Sequence, residues 1–266
     1  MKLYLASFNR ASDGAIESLK RRLIEKKMYT DNASEATHIL AVGDRSETFD
    51  FVLSWYRKNK PIIHLWAGEV ASWSTHDDVY RHAMTLMSEI QFCTNKEAMN
   101  VVTDLCWNVS KEPNAHVIGN LMLDDLEIDK EFKLPETEYN LVLYNPPSRM
   151  SDAEINEEIE SIHKIVDGTE YIWIEPNGDK GSELLQGHFT HSNFQRGEFL
   201  ALLKNCRRFI TNSSCQYYEA PFLINKSQIV SIGKRNSDRN SKDSEMGEKG
   251  AVNKIIDILE KRYGQL

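Results

Sequence analysis

Cysteine is scarce in this chain of 266 residues: there are four, at positions 93, 106, 206 and 215, none in a C-x-x-C spacing. That excludes a disulfide framework and leaves reduced, mostly buried thiols as the expectation. No apolar run reaches membrane-spanning length, so no partner membrane is expected. The opening Met1-Lys2-Leu3-Tyr4-Leu5-Ala6 is too short an apolar stretch for a secretory signal and turns polar at once, which makes the cytoplasm the expected compartment. Walker and dinucleotide glycine fingerprints are missing, which argues against NTPase and dehydrogenase chemistry. H-E-x-x-H is absent, and His188 and His191 have no second Cys or His pair beside them, so no metal centre built from side chains is expected, and no cofactor is called for. A net charge of -8 argues against a general binder of nucleic acid, although Lys20, Arg21, Arg22, Lys26 and Lys27 crowd one predicted helix.

What is present is an alternation of strand and helix signals in a globular composition, 41% hydrophobic and 27% charged. Such alternation is the pattern of parallel sheets covered by helices, and the fold class expected is α/β. Residues 2–7, 38–42, 61–65, 90–93 and 116–118 read as strands. Residues 14–27, 48–58 and 77–89 read as helices, the first with Ile16, Leu19 and Leu23 inward, the last with Val79, His82, Ala83 and Leu86 inward. An acidic stretch, 124–138, reads as a linker. Beyond it strands are expected at 139–144, 171–174, 208–211 and 228–232, and helices at 152–166 (capped by Ser151), 198–205 and 213–223. Residues 234–250 are polar and aperiodic, expected to be a mobile loop, and 251–263 a terminal helix. The domains expected are therefore 1–123, 139–250 and a terminal segment 251–266.

The most specific local signal is Asn212-Ser213-Ser214-Cys215 after a strand, followed by Glu219-Ala220-Pro221 and Ile232-Gly233-Lys234-Arg235. A serine turn at a helix start offers N–H groups and hydroxyls to phosphate, although an ordinary helix cap has the same composition. Residues 199–239 resemble the carboxy-terminal signature of the hydrolysing UDP-N-acetylglucosamine 2-epimerases. Gly43-Asp44-Arg45-Ser46-Glu47, His64-Leu65-Trp66-Ala67-Gly68-Glu69 and Asp77-Asp78-Val79-Tyr80-Arg81-His82-Ala83 are similar, in the same order, to that family's Gly-Asp-Arg-x-Glu, His-x-x-Gly-Gly-Glu and Asp-Glu-x-x-Arg-His-Ala segments. Pro176-Asn177-Gly178-Asp179-Lys180-Gly181-Ser182 is similar to a further family segment, Pro-Asn-x-Asp-x-Gly-Ser.

The resemblance implies two Rossmann-like units facing across a cleft, the glycosyltransferase-B arrangement, with the first unit truncated: only residues 28–37 stand where relatives have several more elements. It implies acid–base roles for Asp44, Glu69 and Asp77, with Asp78 as substitute for the last, and UDP binding by Arg10, Asn145, Asn177, Ser213, Ser214, Glu219 and Arg235. Arg239 matches a further family arginine. Asp44 is also compatible with closing a turn, and Asp77 with capping a helix.

Two departures alter the expectation. Tyr144-Asn145-Pro146 stands where relatives have His-Pro, and an amide carries no proton. Trp66 replaces a polar residue and implies a reshaped sugar pocket. The leading expectation is a UDP-sugar enzyme of the 2-epimerase type. The alternatives are a compact glycosyltransferase acting on a large acceptor such as DNA carrying modified bases, and a non-catalytic sugar-nucleotide sensor. An oligomer is compatible with all three.

Overall fold

The computed structural model describes residues 1–8, 10–71, 76–176, 178, 180–237 and 249–264, with the side chains of residues 10–12 also left out. Asn177, Arg239 and most of the polar segment 234–250 thus lie outside the described residues. The chain divides into two units, Met1–Val70 with Asp77–Asp125 and Ser241–Leu266, and Ala71–His76 with Leu126–Asn240.

Unit 1 carries a five-stranded sheet in sequential order, β1 (Leu3–Ala6), β2 (His38–Val42), β3 (Ile62–Leu65), β4 (Ile90–Cys93) and β5 (Ala115–Val117). Every pairing is parallel. Strands β2, β3 and β4 are buried almost without a break because helices cover both faces. On one face Leu3, Leu40, Ile63 and Phe92 pack against Leu19 and Leu23 of α2 (Glu17–Glu25). The same cluster takes in Ile255 and Leu259 of the terminal helix α9 (Ala251–Tyr263). On the other face Ile39, Ala41 and Ile62 meet Val52 and Trp55 of α3 (Ser46–Tyr56) and Met84 of α4 (Asp77–Met87). The chain therefore leaves β1 towards one face and β2 towards the other. Exit loops that part in this way open a crevice at the carboxyl edge of a parallel sheet.

Two expectations for unit 1 are corrected, and two features are added to them. The first helix is two pieces, α1 (Arg10–Ala15) and α2, broken at Ile16, whose backbone is not helical. The inward face of α4 holds Arg81, Met84 and Thr85, whereas Val79 is 59% exposed. A helix not expected from the sequence, α5 (Lys96–Asn108), is capped by the Asn95 side chain, which accepts from the Ala98 N–H at 2.8 Å. The start of the acidic stretch 124–138 is anchored in unit 1. Both Asp124 carboxylate oxygens accept N–H bonds at the start of α9, from Gly250 at 2.7 Å and Val252 at 2.8 Å, and Asp125 accepts the Ser18 N–H at 3.0 Å. An anion at a helix N-terminus is favourable on both counts, hydrogen bond and dipole. The basic cluster on α2 is partly engaged within unit 1: Lys26 pairs with Glu260 at 2.7 Å and Lys20 lies over the Tyr29 ring.

Unit 2 has a four-stranded parallel sheet of order β7-β6-β8-β9, from β6 (Asn140–Leu143), β7 (Tyr171–Trp173), β8 (Phe209–Thr211) and β9 (Ile229–Ser231). Helix α6 (Asp152–Val166) packs on one face through Ile155, Ile159 and Ile162. Helix α7 (Arg196–Asn205) packs on the other through Leu202 and Leu203. Ser151 and Glu154 form a reciprocal capping box at the start of α6, as the spacing requires. The strand order reverses between β6 and β8, which makes their carboxyl ends the topological switch point of this sheet. The helix expected over 213–223 is one α-turn, α8 (Cys215–Tyr218), followed by a 3-10 turn, Ala220–Phe222. Pro221 has no N–H to continue the ladder, and Glu219 before it has left the helical region. Among the described residues no helix is long and apolar enough to cross a membrane.

Candidate functional site

Among the described residues, each unit gathers candidates at the carboxyl edge of its own sheet. In unit 1 Gly43, with φ 81°, turns the chain out of β2 and presents Asp44. Gly68, with φ 77°, turns it after β3 and presents Glu69, and an added Cβ there would overlap the Ala98 carbonyl oxygen in the first turn of α5. Only glycine tolerates both the dihedral and the approach. Helix α4 then supplies Asp77 and Asp78 in its first turn.

Arg81 organises these elements. Its side chain is 3% exposed and forms ion pairs with Asp44 and with Asp78. Its Nη1 also donates to the Glu69 carbonyl at 2.9 Å. A guanidinium suits this position because its fixed fork of donors serves several acceptors at once. Of the two adjacent aspartates, Asp78 meets Arg81, while Asp77 opens the helix one residue earlier. The Glu69 side chain is buried, and its charge lies near Cys93 at the end of β4. Burial first, and Glu69 second, push that thiol up to about 12, so Cys93 is a packing residue rather than a nucleophile.

His64, fully buried on β3, lies with Nε2 3.2 Å from the Gly43 carbonyl and Nδ1 3.0 Å from Thr85 Oγ1. It thereby ties the Asp44 turn to α4. Burial lowers its pKa to about 4, and His82 on α4 is lowered to about 4 by burial and then by Arg81; both rings are neutral at physiological pH. Trp66 is half-buried in the left-handed region at φ 62° and packs against the sheet core. Arg10 is the first residue of α1, in the chain leaving β1.

In unit 2 the switch point is spanned by amides. The Asn212 side chain, at the end of β8, accepts the Asn145 N–H at 2.9 Å and donates to the Asn145 carbonyl at 2.8 Å. Arg235 Nη1 donates to that same carbonyl at 3.0 Å. Asn236, φ 64°, closes the turn after β9 by donating its side-chain N–H to the Asn212 carbonyl at 2.8 Å. Gly181 approaches the same loop, since a Cβ added there would press on Pro146 at 3.0 Å. Asn145, Arg235 and the 212–214 turn are thus brought together.

The serines stand half-buried beside them. The Ser213 N–H donates to Thr211 Oγ1 at 2.9 Å, and Ser214 precedes α8 without capping it. Because α8 is a single turn, its dipole is small, and attraction for an anion rests on hydroxyls and N–H groups. Glu219 is buried and paired with Arg196 at 2.7 Å, so any ribose contact would be made by a carboxylate already engaged on one oxygen. Asn177 lies outside the described residues. Sequence reasoning missed Arg81, Asn212 and Asn236 as organisers. All three lie inside or beside matched segments, but only their partners in space identify the role.

Comparison with known proteins agrees with the two-sheet architecture. A Legionella pneumophila UDP-N,N'-diacetylbacillosamine 2-epimerase (hydrolyzing) is 25% identical over 229 residues, covering 77% of this chain and 58% of the relative. The chain spans about 58% of the length of the curated relatives it matches. A Listeria monocytogenes protein assigned as a UDP-N-acetylglucosamine 2-epimerase superposes over 100% of this chain and 97% of its own, with a TM-score of 0.73 at 15% identity. The Methanocaldococcus jannaschii UDP-GlcNAc 2-epimerase, in complex with UDP-GlcNAc and UDP, covers 98% of this chain and 100% of its own, with a TM-score of 0.70 at 14% identity. Since the sequence profile of UDP-N-acetylglucosamine 2-epimerase matches residues 5–263, the chain belongs to that family.

Proposed function

We propose that this protein is a UDP-sugar enzyme of the hydrolysing 2-epimerase type. The observation that carries the reading is the gathering of Asp44, Asp78 and the Glu69 backbone on one buried arginine at the carboxyl edge of a parallel sheet. Carboxylates held at fixed separations suit a reaction that moves one proton off carbon and another back. In the first step a carboxylate takes the C2 proton, the C1–O bond to UDP breaks, and a glycal remains. Water then adds at C1 and an acid returns a proton to C2 on the opposite face. Asp44, Glu69 and Asp77 or Asp78 are the groups assigned to this proton traffic.

UDP is assigned to unit 2, to Asn145, Ser213, Ser214, Glu219 and Arg235, with Arg10 and Asn177 added by their place in matched segments. The switch point between β6 and β8 supports it. So does the UDP and UDP-GlcNAc held by the Methanocaldococcus jannaschii protein of similar fold. The hydrolysing branch is favoured by the Legionella pneumophila relative.

One observation favours a second reading, transfer of the sugar to an acceptor such as a hydroxylated base in DNA. The loop after β6 carries Asn145, held through its backbone by Asn212, and its amide cannot protonate a departing diphosphate. A single experiment separates the two. In deuterated water with UDP-GlcNAc, the epimerase releases UDP and a free sugar inverted and deuterated at C2. Sugar that keeps its C2 hydrogen and configuration, with UDP release accelerated by an acceptor, rejects elimination in favour of transfer.

A further inference from the structure

Glu158 lies in the second turn of α6, outside every matched segment. Its Oε2 accepts the hydroxyl of Tyr144 at 2.6 Å, and Tyr144 is fully buried directly before Asn145. The same carboxylate fills the space beside Gly233 in the turn after β9: a Cβ added to Gly233 would overlap Oε1 and Cδ and press on Oε2. Gly233 has φ 62°, a conformation that L side chains rarely adopt. Two residues on, Arg235 reaches the Asn145 carbonyl at 3.0 Å and its charge acts on the Tyr144 phenol.

One side chain therefore touches the loop after β6 and the turn after β9, each within two residues of a group assigned to UDP. The contacts are of different kinds, a charge-assisted hydrogen bond to Tyr144 and steric support of the Gly233 turn, so loss of Glu158 releases both at once. Burial raises its pKa, as expected of a carboxyl set under two loops rather than in water. We infer that Glu158 is a positioning residue, which sets the Gly233 turn and the Asn145 loop so that Arg235 and Asn145 stand together in the nucleotide site. This deepens, and rests on, the assignment of UDP to unit 2.

Hydrogen exchange tests the positioning without any ligand. Glu158→Ala is expected to speed exchange of the amides of residues 233–237 by about tenfold or more, with β6 and the rest of α6 unchanged. Glu158→Gln keeps the length and an acceptor for Tyr144 and is expected to stay near wild type. Unchanged exchange at 233–237 in a folded Glu158→Ala protein overturns the inference, as does an equal effect of both variants. UDP titration then reads the consequence. Glu158→Ala is expected to weaken UDP about tenfold, and by much less in an Arg235→Ala background, because the two act through one another. Full additivity with Arg235→Ala means a purely structural role and overturns it. No UDP binding by wild type, with the exchange result intact, rejects the nucleotide assignment instead.

Discussion

Unit 1 and unit 2 use the same scaffold, a parallel sheet with helices on both faces, and build their candidate sites from opposite materials. In unit 1 the organising group is a charge: Arg81, buried, with two aspartates and a backbone carbonyl. In unit 2 the switch point is held by neutral amides, Asn145, Asn212 and Asn236, with Arg235 donating to a backbone oxygen. The difference suits the task proposed for each. Acid–base work on carbon needs carboxylates at fixed places, and burying a carboxylate is costly unless a cation or hydrogen bonds offset the desolvation. Binding a diphosphate needs donors that do not repel an anion, and amides supply them without adding negative charge.

The contrast breaks most sharply at Arg81. Arg81→Met leaves Asp44 and Asp78 without their buried cation, and removing one partner of a buried pair costs about 3–5 kcal/mol. Chemical denaturation is expected to show unit 1 losing that stability while unit 2 keeps its own. Equal losses in both units would erase the distinction.

Next come the acids themselves. Glu69→Gln and Asp44→Asn are expected to lower turnover by roughly 100-fold or more, the usual contribution of a positioned general acid or base. UDP affinity, read by calorimetry, stays unchanged if the acids act only on the reacting sugar. Full turnover in both variants returns them to a structural role.

In unit 2, Asn212→Ala deletes the two bonds that hold the Asn145 backbone, each worth about 1 kcal/mol net. The expected result is UDP binding about tenfold weaker. Ser213→Ala with Ser214→Ala adds a comparable loss, since hydrogen bonds to a charged group contribute about 1.5–3 kcal/mol. Unaltered calorimetric affinity in both proteins moves the nucleotide elsewhere.

The mildest test is pH. His64 and His82 have folded pKa values lowered to about 4 from 6.5, so the unfolded chain binds the extra protons. Their contribution to unit 1 stability is complete above pH 6.5 and is lost as pH falls from there towards 4. His64→Gln is expected to flatten part of that loss in urea midpoints collected between pH 7 and 5. An identical pH profile in the variant would show that His64 titrates alike in both states.

Much of this was legible in the chain. The buried strands β2 and β4 follow the predicted spans without change, and the Ser151 cap marked the start of α6, because local chemistry decides such features. Helix α5 was missed although Asn95 and the spacing of Ala98, Val102 and Cys106 announced it. The inward face of α4 was misassigned because an arginine reads as an outward residue until its partners are known. The helix over 213–223 was overextended because its serine start outweighed Pro221.

By itself the sequence determined the alternation that makes two parallel sheets, the turns that need Gly43 and Gly68, and the ordered segments that mark the family. These depend on periodicity, backbone freedom and residue type, all of which are local. Tertiary structure alone decided that Arg81 joins Asp44 to Asp78, that Asn212 clasps Asn145 from 67 positions away, and that Asp124 receives the start of the terminal helix. Each of these depends on a hydrogen bond or ion pair between groups distant along the chain, Arg81 with Asp44 in the first case. A buried polar group must find a partner, and which partner it finds is settled only when the sheets and helices have packed.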